Sequence, residues 1–206
     1  MKKVILTGFE PFGPYGFNPT RDLVKYYNNR VIAPKIRILG IVLPCTYFGA
    51  FGLLSKIIDV QKPVAVISTG LWSSVPSLQV ETIFKNSMNG KYPDAHGYQP
   101  QSLPIDSRSD APEFLGSLAE NIRLVELLRY QNIPVKVSTD ADNFICNSLG
   151  YLTTQKIMND RLFIKNMFVH IPWTDDYQNQ ISLEEGKVFL EKKKFYQAIE
   201  LLIKNI

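Results

Sequence analysis

The sequence predicts an α/β fold: one domain over residues 1–206, with a mostly parallel twisted sheet covered by helices on both faces. Three observations predict it. Short, β-branched, near-continuous apolar runs recur at 4–6, 36–43, 64–68, 135–137 and 167–171, and they end at Pro, Gly or polar residues, as strands buried on both faces do. Between them lie stretches with apolar residues spaced by three and four. Strand and helix patterns alternate throughout, without linker, repeat or low-complexity tract. With 45% hydrophobic and 20% charged residues in a chain of 206, the composition supports one core and no disordered class.

The first strand, 4–6, opens the chain, and a helix at 20–27 follows it. The second strand, 36–43, leads to a helix at 46–60, and the third is 64–68. Residues 111–130 carry Leu115, Leu118, Ile122, Val125 and Leu128 at helical spacing and precede the strand 135–137. A helix at 144–158 comes before the last strand, 167–171. The final helix is predicted over 182–205: Ser182 and Glu185 have capping-box spacing, and Val188, Phe195, Ile199 and Leu202 form a stripe facing a core or a partner. Residues 86–110 are polar and rich in Gly, Pro, Asn and Ser. So long a connection reads as a functional loop or flap.

The composition excludes several functions. A net charge of +4 is mild, and Lys192, Lys193 and Lys194 read as a solvated helix face rather than a nucleic-acid site. No run approaches the ~20 apolar residues of a membrane span. The start MKKVILTGFEPFG is broken too early by Gly8, Glu10 and Pro11 for a signal peptide, so a cytoplasmic protein is expected. Two cysteines make no disulfide scaffold, and two histidines without clustered Cys/His spacing give no metal site. Neither phosphate-binding glycine motifs nor a GxSxG elbow occur, so nothing argues for nucleotide phosphates or a serine nucleophile elbow. A Cys–His pair remains.

Cys146 follows a strand end near Ser138 and a polar turn, at the start of a helix. There the macrodipole and unpaired N–H groups favour a thiolate and can hold an oxyanion. The same position equally suits a small buried hydrophobe. Cys45 lacks such a setting and reads as structural. His170 ends an apolar strand, where parallel α/β folds gather reactive residues, or it is a hydrogen-bonded core histidine. His96 lies in the polar loop and reads as exposed. Glu81, after Leu78 and Val80, either orients a histidine or is a solvated acid, and the residues alone favour the latter.

Taken together, five segments resemble pyroglutamyl peptidase I, the pyrrolidone carboxyl peptidase family. They are TGFEPFG at 7–13 with Asn18-Pro19-Thr20; Gly70 with Glu81 and Asn86; Tyr92-Pro93-Asp94 with Gly97; 138–147, ending in Phe144-Ile145-Cys146-Asn147; and Phe168-Val169-His170-Ile171-Pro172. The resemblance covers most of the chain in order. It implies a cysteine exopeptidase removing N-terminal pyroglutamate from peptides through a thioester, without cofactor. Cys146 is the implied nucleophile, His170 its base and Glu81 the residue orienting the histidine. Phe9, Phe12 and Phe144 are implied to pack around the pyrrolidone ring, with Tyr92 and Ile145 also at substrate-binding positions. The Leu71 backbone is implied to pair with the lactam. A homo-oligomer, dimer or tetramer, is implied too, with the amphipathic C-terminal helix as its apolar surface. The chain departs from the family in the bulky 71–75 run, which includes Trp72 and Val75, in Lys91 for arginine and in Asp142 for glycine. Two further readings stay open: a pyroglutamyl-binding homologue without activity, and a cysteine amidase of other N-terminal specificity.

Overall fold

The computed structural model describes residues 1–32, 35–181 and 188–206. In chain order the elements are β1 (Lys2–Phe9), α1 (Pro19–Tyr27), β2 (Val31–Ile32), β3 (Ile36–Leu43), α2 (Gly49–Gln61), β4 (Ala65–Leu71), β5 (Leu78–Glu81), β6 (Ile83–Lys85) and β7 (Phe114–Gly116). Then come α3 (Asn121–Tyr130), β8 (Val135–Ser138), α4 (Ile145–Asn159), β9 (Lys165–Ile171), β10 (Trp173–Thr174), β11 (Phe189–Leu190) and α5 (Lys192–Asn205). Seven strands form one sheet in the order β2-β3-β1-β4-β9-β5-β8. The four strands β3, β1, β4 and β9 run parallel; β5 is antiparallel to β9 and parallel to β8, and β2 is antiparallel to β3.

Side-chain alternation along the strands divides the core in two. Val4, Leu6, Ile67 and Val169 point toward α1, α3 and α5, where Leu23, Leu124, Leu128, Phe195, Ile199 and Leu202 close a fully buried layer. Ile5, Val66 and Phe168 point to the other face, covered by Leu54 and Ile58 of α2 and Ile145 and Leu149 of α4. Helices on both faces of a mostly parallel sheet are what the alternation predicted.

Four expectations are corrected. The predicted helix at 111–130 begins only at Asn121, because Phe114–Gly116 pairs as β7 with β6. Ile122 of its supposed stripe is 71% exposed, and Leu124 takes the core position. The last helix starts at Lys192 and not at 182; the Ser182–Glu185 capping box lies outside the described residues, and Val188 is exposed beside β11. Phe195, Ile199 and Leu202 are buried against the sheet, so this stripe is not an apolar surface for self-association. Residues 78–81, absent from the predicted strands, form an inner strand of the sheet. No helix among the described residues is long and apolar enough to cross a membrane.

The site lies at the sheet edge where the parallel strands end. β1 pairs with β3 as far as Phe9, and β4 with β9 as far as Leu71, but β1 and β4 pair only as far as Thr7 and Ser68. The chain winds to opposite sides of β1 before and after this point, which is where α/β sheets open a crevice. The splay leaves the Leu71 backbone without a strand partner on the β1 side.

Candidate active site

The turn after β1 is fixed by a small hydrogen-bonded knot. Asn18 caps α1 through Oδ1, accepting from Thr20 N (3.0 Å) and Thr20 Oγ1 (2.8 Å), while its Nδ2 donates to Glu10 O at 3.2 Å. Pro19 at the first helical position needs no N–H partner there. Thr20 Oγ1 accepts from Phe9 N at 3.0 Å, so α1 presses onto the strand end. A Cβ on Gly8 would sit 2.3 Å from Thr20 O, so this contact requires glycine. The Asn-Pro-Thr string thereby sets where Phe9 and Phe12 stand.

Cys146 is the second residue of α4, whose N-terminus carries no side-chain cap. Its first-turn N–H groups are among those that a helix leaves without internal partners. Asn147, fully buried, anchors this turn: its Nδ2 donates to Lys85 O (2.9 Å) and Ser87 O (3.0 Å), and its Oδ1 accepts from Lys85 N (2.8 Å). The thiol lies directly over β4, for a Cβ on Gly70 would meet Cys146 Sγ at 2.8 Å and the Phe168 ring at 3.0 Å. Gly70 is the register partner of His170. Gly70 therefore leaves room for the sulfur beside the imidazole.

His170 Nδ1 lies 2.8 Å from Glu81 Oε1. The antiparallel register of β5 against β9 places Glu81 opposite Phe168, one pleat from His170 on the same face. Glu81 is 0% and His170 3% exposed, so the carboxylate is a buried partner of the ring and not the solvated acid the sequence favoured. Accepting from Nδ1–H fixes the tautomer and leaves Nε2 free. Trp72 lies edge-on to His170 at 5.0 Å and Phe168 tilts against it at 4.9 Å, which holds the ring plane.

The thiol itself departs from expectation. Burial raises the Cys146 pKa well above the ordinary thiol value, with Cys45, Glu81 and Asp142 adding in the same direction; a hydrogen bond from its own backbone opposes them. Cys146 is nonetheless partly exposed, and desolvation works against the thiolate that the helix N-terminus favours. Asp142 adopts φ 63°, the left-handed conformation that aspartate tolerates and that a glycine would favour. Cys45 is buried, donates to Glu10 O at 3.3 Å, and is pushed up to about 12, chiefly by burial.

Two cavities meet at Cys146. One, of about 120 Å³, is walled by Phe9, Phe12, Leu71, Phe144 and Ile145, with Phe17, Asn18, Cys45 and Trp173 completing it. Phe12 and Phe144 stand 5.8 Å apart, Tyr47 braces Phe144 edge-on at 5.4 Å, and Trp173 packs on Phe17 at 5.7 Å. The second, of about 100 Å³, is bounded by Leu71, Trp72, Ala141, Asp142, Phe144, Cys146 and His170. A wider groove of about 900 Å³ between α1 and α5 holds none of these residues, and neither thiol nor histidine.

The structure thus brings together Glu81, Cys146, His170, Phe9, Phe12, Leu71, Phe144 and Ile145. It does not bring in Tyr92, which is 59% exposed, lies under Lys91 Nζ (5.6 Å) and lines neither cavity. The anchor of that loop is Asp94, buried, accepting from Tyr47 N, His96 N and Tyr98 N at 2.9–3.1 Å. Phe17, Asn18, Cys45 and Trp173 were not foreseen as pocket walls. Their signal was adjacency: Phe17 and Asn18 precede Pro19, and Trp173 follows the His170-Ile171-Pro172 turn.

The chain is similar over nearly its whole length to known peptidases. The family model for pyroglutamyl peptidase matches residues 2–201. A pyrrolidone-carboxylate peptidase of Thermococcus kodakarensis is 29% identical over 204 residues, covering 99% of this chain and 95% of its own. The solved pyrrolidone carboxyl peptidase from Thermococcus litoralis superposes with a TM-score of 0.91 at 31% identity, covering 99% of this chain and 92% of its own. Pyroglutamyl peptidase I from Bacillus amyloliquefaciens gives 0.89 at 26% identity, with coverage of 98% and 94%. With nearly its whole length matched in both sequence and fold, the chain belongs to the pyroglutamyl peptidase family of cysteine-type peptidases.

Proposed function

We propose that the protein hydrolyses the amide between an N-terminal pyroglutamyl residue and the next residue of a peptide, with Cys146 as nucleophile, His170 as base and Glu81 orienting it. The observation that carries this reading is the Cys146 sulfur, packed over Gly70 beside the His170–Glu81 pair and opening onto an aromatic cavity sized for one small flat ring. A pyrrolidone ring is compact and uncharged. Aromatic walls remove its faces from water, and the unpaired backbone edge of Leu71 suits the lactam N–H and C=O.

With burial disfavouring a free thiolate, His170 Nε2 takes the proton as Cys146 attacks the exocyclic carbonyl. First-turn N–H groups of α4 receive the oxyanion. The imidazolium, paired with buried Glu81, then protonates the leaving nitrogen. Water hydrolyses the thioester with His170 as base, which regenerates the thiol.

The purified protein is expected to release amine from a pyroglutamyl amide but not from the corresponding prolyl amide, and one alkylation mapped to Cys146 is expected to end turnover. Equal release from both amides refutes the ring reading, and unchanged turnover after modification of Cys146 refutes the nucleophile. The upward push of burial on the Cys146 thiol also favours one competing reading, a pyroglutamyl-binding homologue without turnover; calorimetric binding of free pyroglutamate without amide cleavage would establish it.

Phe12 and Phe144 are half-buried cavity walls packed against the core, so the effect of trimming either to Ala is read on variants shown to be folded. Ring binding is expected to weaken by about 1–3 kcal/mol, seen mainly as a higher KM. Unchanged kinetics in folded Phe144→Ala would remove that ring from the site.

A further inference from the structure

The two cavities share Leu71, Phe144 and Cys146 and diverge from there: the apolar one runs toward Phe9 and Trp173, the other toward His170. The group that takes the Cys146 proton must deliver it to the leaving nitrogen, so the leaving residue has to sit on His170's side of the sulfur. We propose that the second cavity seats the first residue of the released peptide, and that Trp72 and Asp142 make it prefer a cationic side chain there, arginine or lysine. This rests on the hydrolase reading above.

The chemistry of the lining points to that preference. Trp72 is half-exposed, with its ring held edge-on to His170, so it offers an aromatic surface at the cavity mouth. Asp142 is solvent-exposed and is the only acidic residue in the lining; no Lys or Arg contributes to it. Its Oδ1 accepts from Asn143 N at 2.7 Å, which fixes the carboxylate to the turn. Nearby Asp140 is already occupied by Lys85 at 2.8 Å, and Lys91 is turned out over Tyr92. A guanidinium or ammonium next to the scissile bond therefore finds an aromatic face and a positioned carboxylate, while an acidic side chain meets like charge. Both partners are open to solvent, so the discrimination is modest and screened by salt.

The test is kcat/KM for three C-terminally amidated dipeptides, pyroglutamyl-Arg, pyroglutamyl-Ala and pyroglutamyl-Glu. Arginine is expected to exceed alanine by roughly 3- to 10-fold and glutamate to fall below it, with the spread shrinking as salt rises. Asp142→Asn, which tolerates the left-handed backbone, is expected to collapse the Arg/Glu ratio, and Trp72→Ala the Arg/Ala ratio. Ratios are read because either variant can alter the overall rate. Equal cleavage of the three substrates overturns this inference alone, as does an arginine preference that survives both substitutions together. Failure to cleave any of them overturns the hydrolase reading and this inference with it.

Discussion

Cys146→Ala is expected to lower hydrolysis of a pyroglutamyl amide by about 10⁴-fold or more while leaving a folded protein. The sulfur is the only nucleophile at the junction of the two cavities, and its removal leaves Gly70 and His170 untouched. A near-ultraviolet circular dichroism spectrum and a thermal unfolding profile matching wild type would show that the loss is chemical. A variant retaining more than a few per cent of activity would place the nucleophile elsewhere. The raised pKa adds a pH signature. A thiol is reactive as thiolate, so in the free protein alkylation of Cys146 should keep climbing through pH 9 instead of levelling near neutrality. Asp142→Asn takes away one of the charges that raise the pKa, so it should move this profile toward lower pH. A plateau below neutrality would mean that a thiolate–imidazolium pair exists at rest.

Glu81→Gln is the second large effect. The isostere can still accept from His170 Nδ1, but the charge that stabilises the imidazolium is gone. A fall in kcat of roughly 10²- to 10⁴-fold is expected with KM little changed, because Glu81 contacts neither cavity. Glu81 Oε2 has no hydrogen-bond partner among the described residues, so the new amide group enters a site without an acceptor and about 1–3 kcal/mol of stability is lost as well. Removing the other partner is more damaging to the fold: His170→Ala leaves a fully buried carboxylate unpaired, at about 3–5 kcal/mol. A Glu81→Gln enzyme with wild-type kcat would reduce the pair to a structural role.

Strands and helices with strong local patterns were legible, since the apolar runs of β1, β4 and β9 are buried on both faces. The start of α3 was not. Leu115 and Leu118 continue its spacing by coincidence, but Leu115 belongs to a three-residue strand whose partner, β6, is 30 residues earlier in the sequence. Glu81 misled for the same reason: a charged residue in a short strand reads as surface until the long-range pairing of β5 with β9 buries it. The thiol's environment was read from its helix alone, yet burial, which depends on every neighbour, pushes the other way. The ring pocket was legible through three aromatics, whereas Phe17 and Trp173 reach it only because α1 and β10 converge there.

The position of β9 has a consequence for the chain as it is made. It sits mid-sheet but comes late in the sequence, and it is the only strand joining β4 to β5. Until Lys165–Ile171 has left the ribosome, β4 and β5 lack the strand that lies between them, and their facing edges stay open to pairing with other chains. Over the same interval the cysteine has already been translated but the histidine has not. Insertion of one strand therefore closes both edges and sets His170 beside Glu81 and Gly70 in a single event.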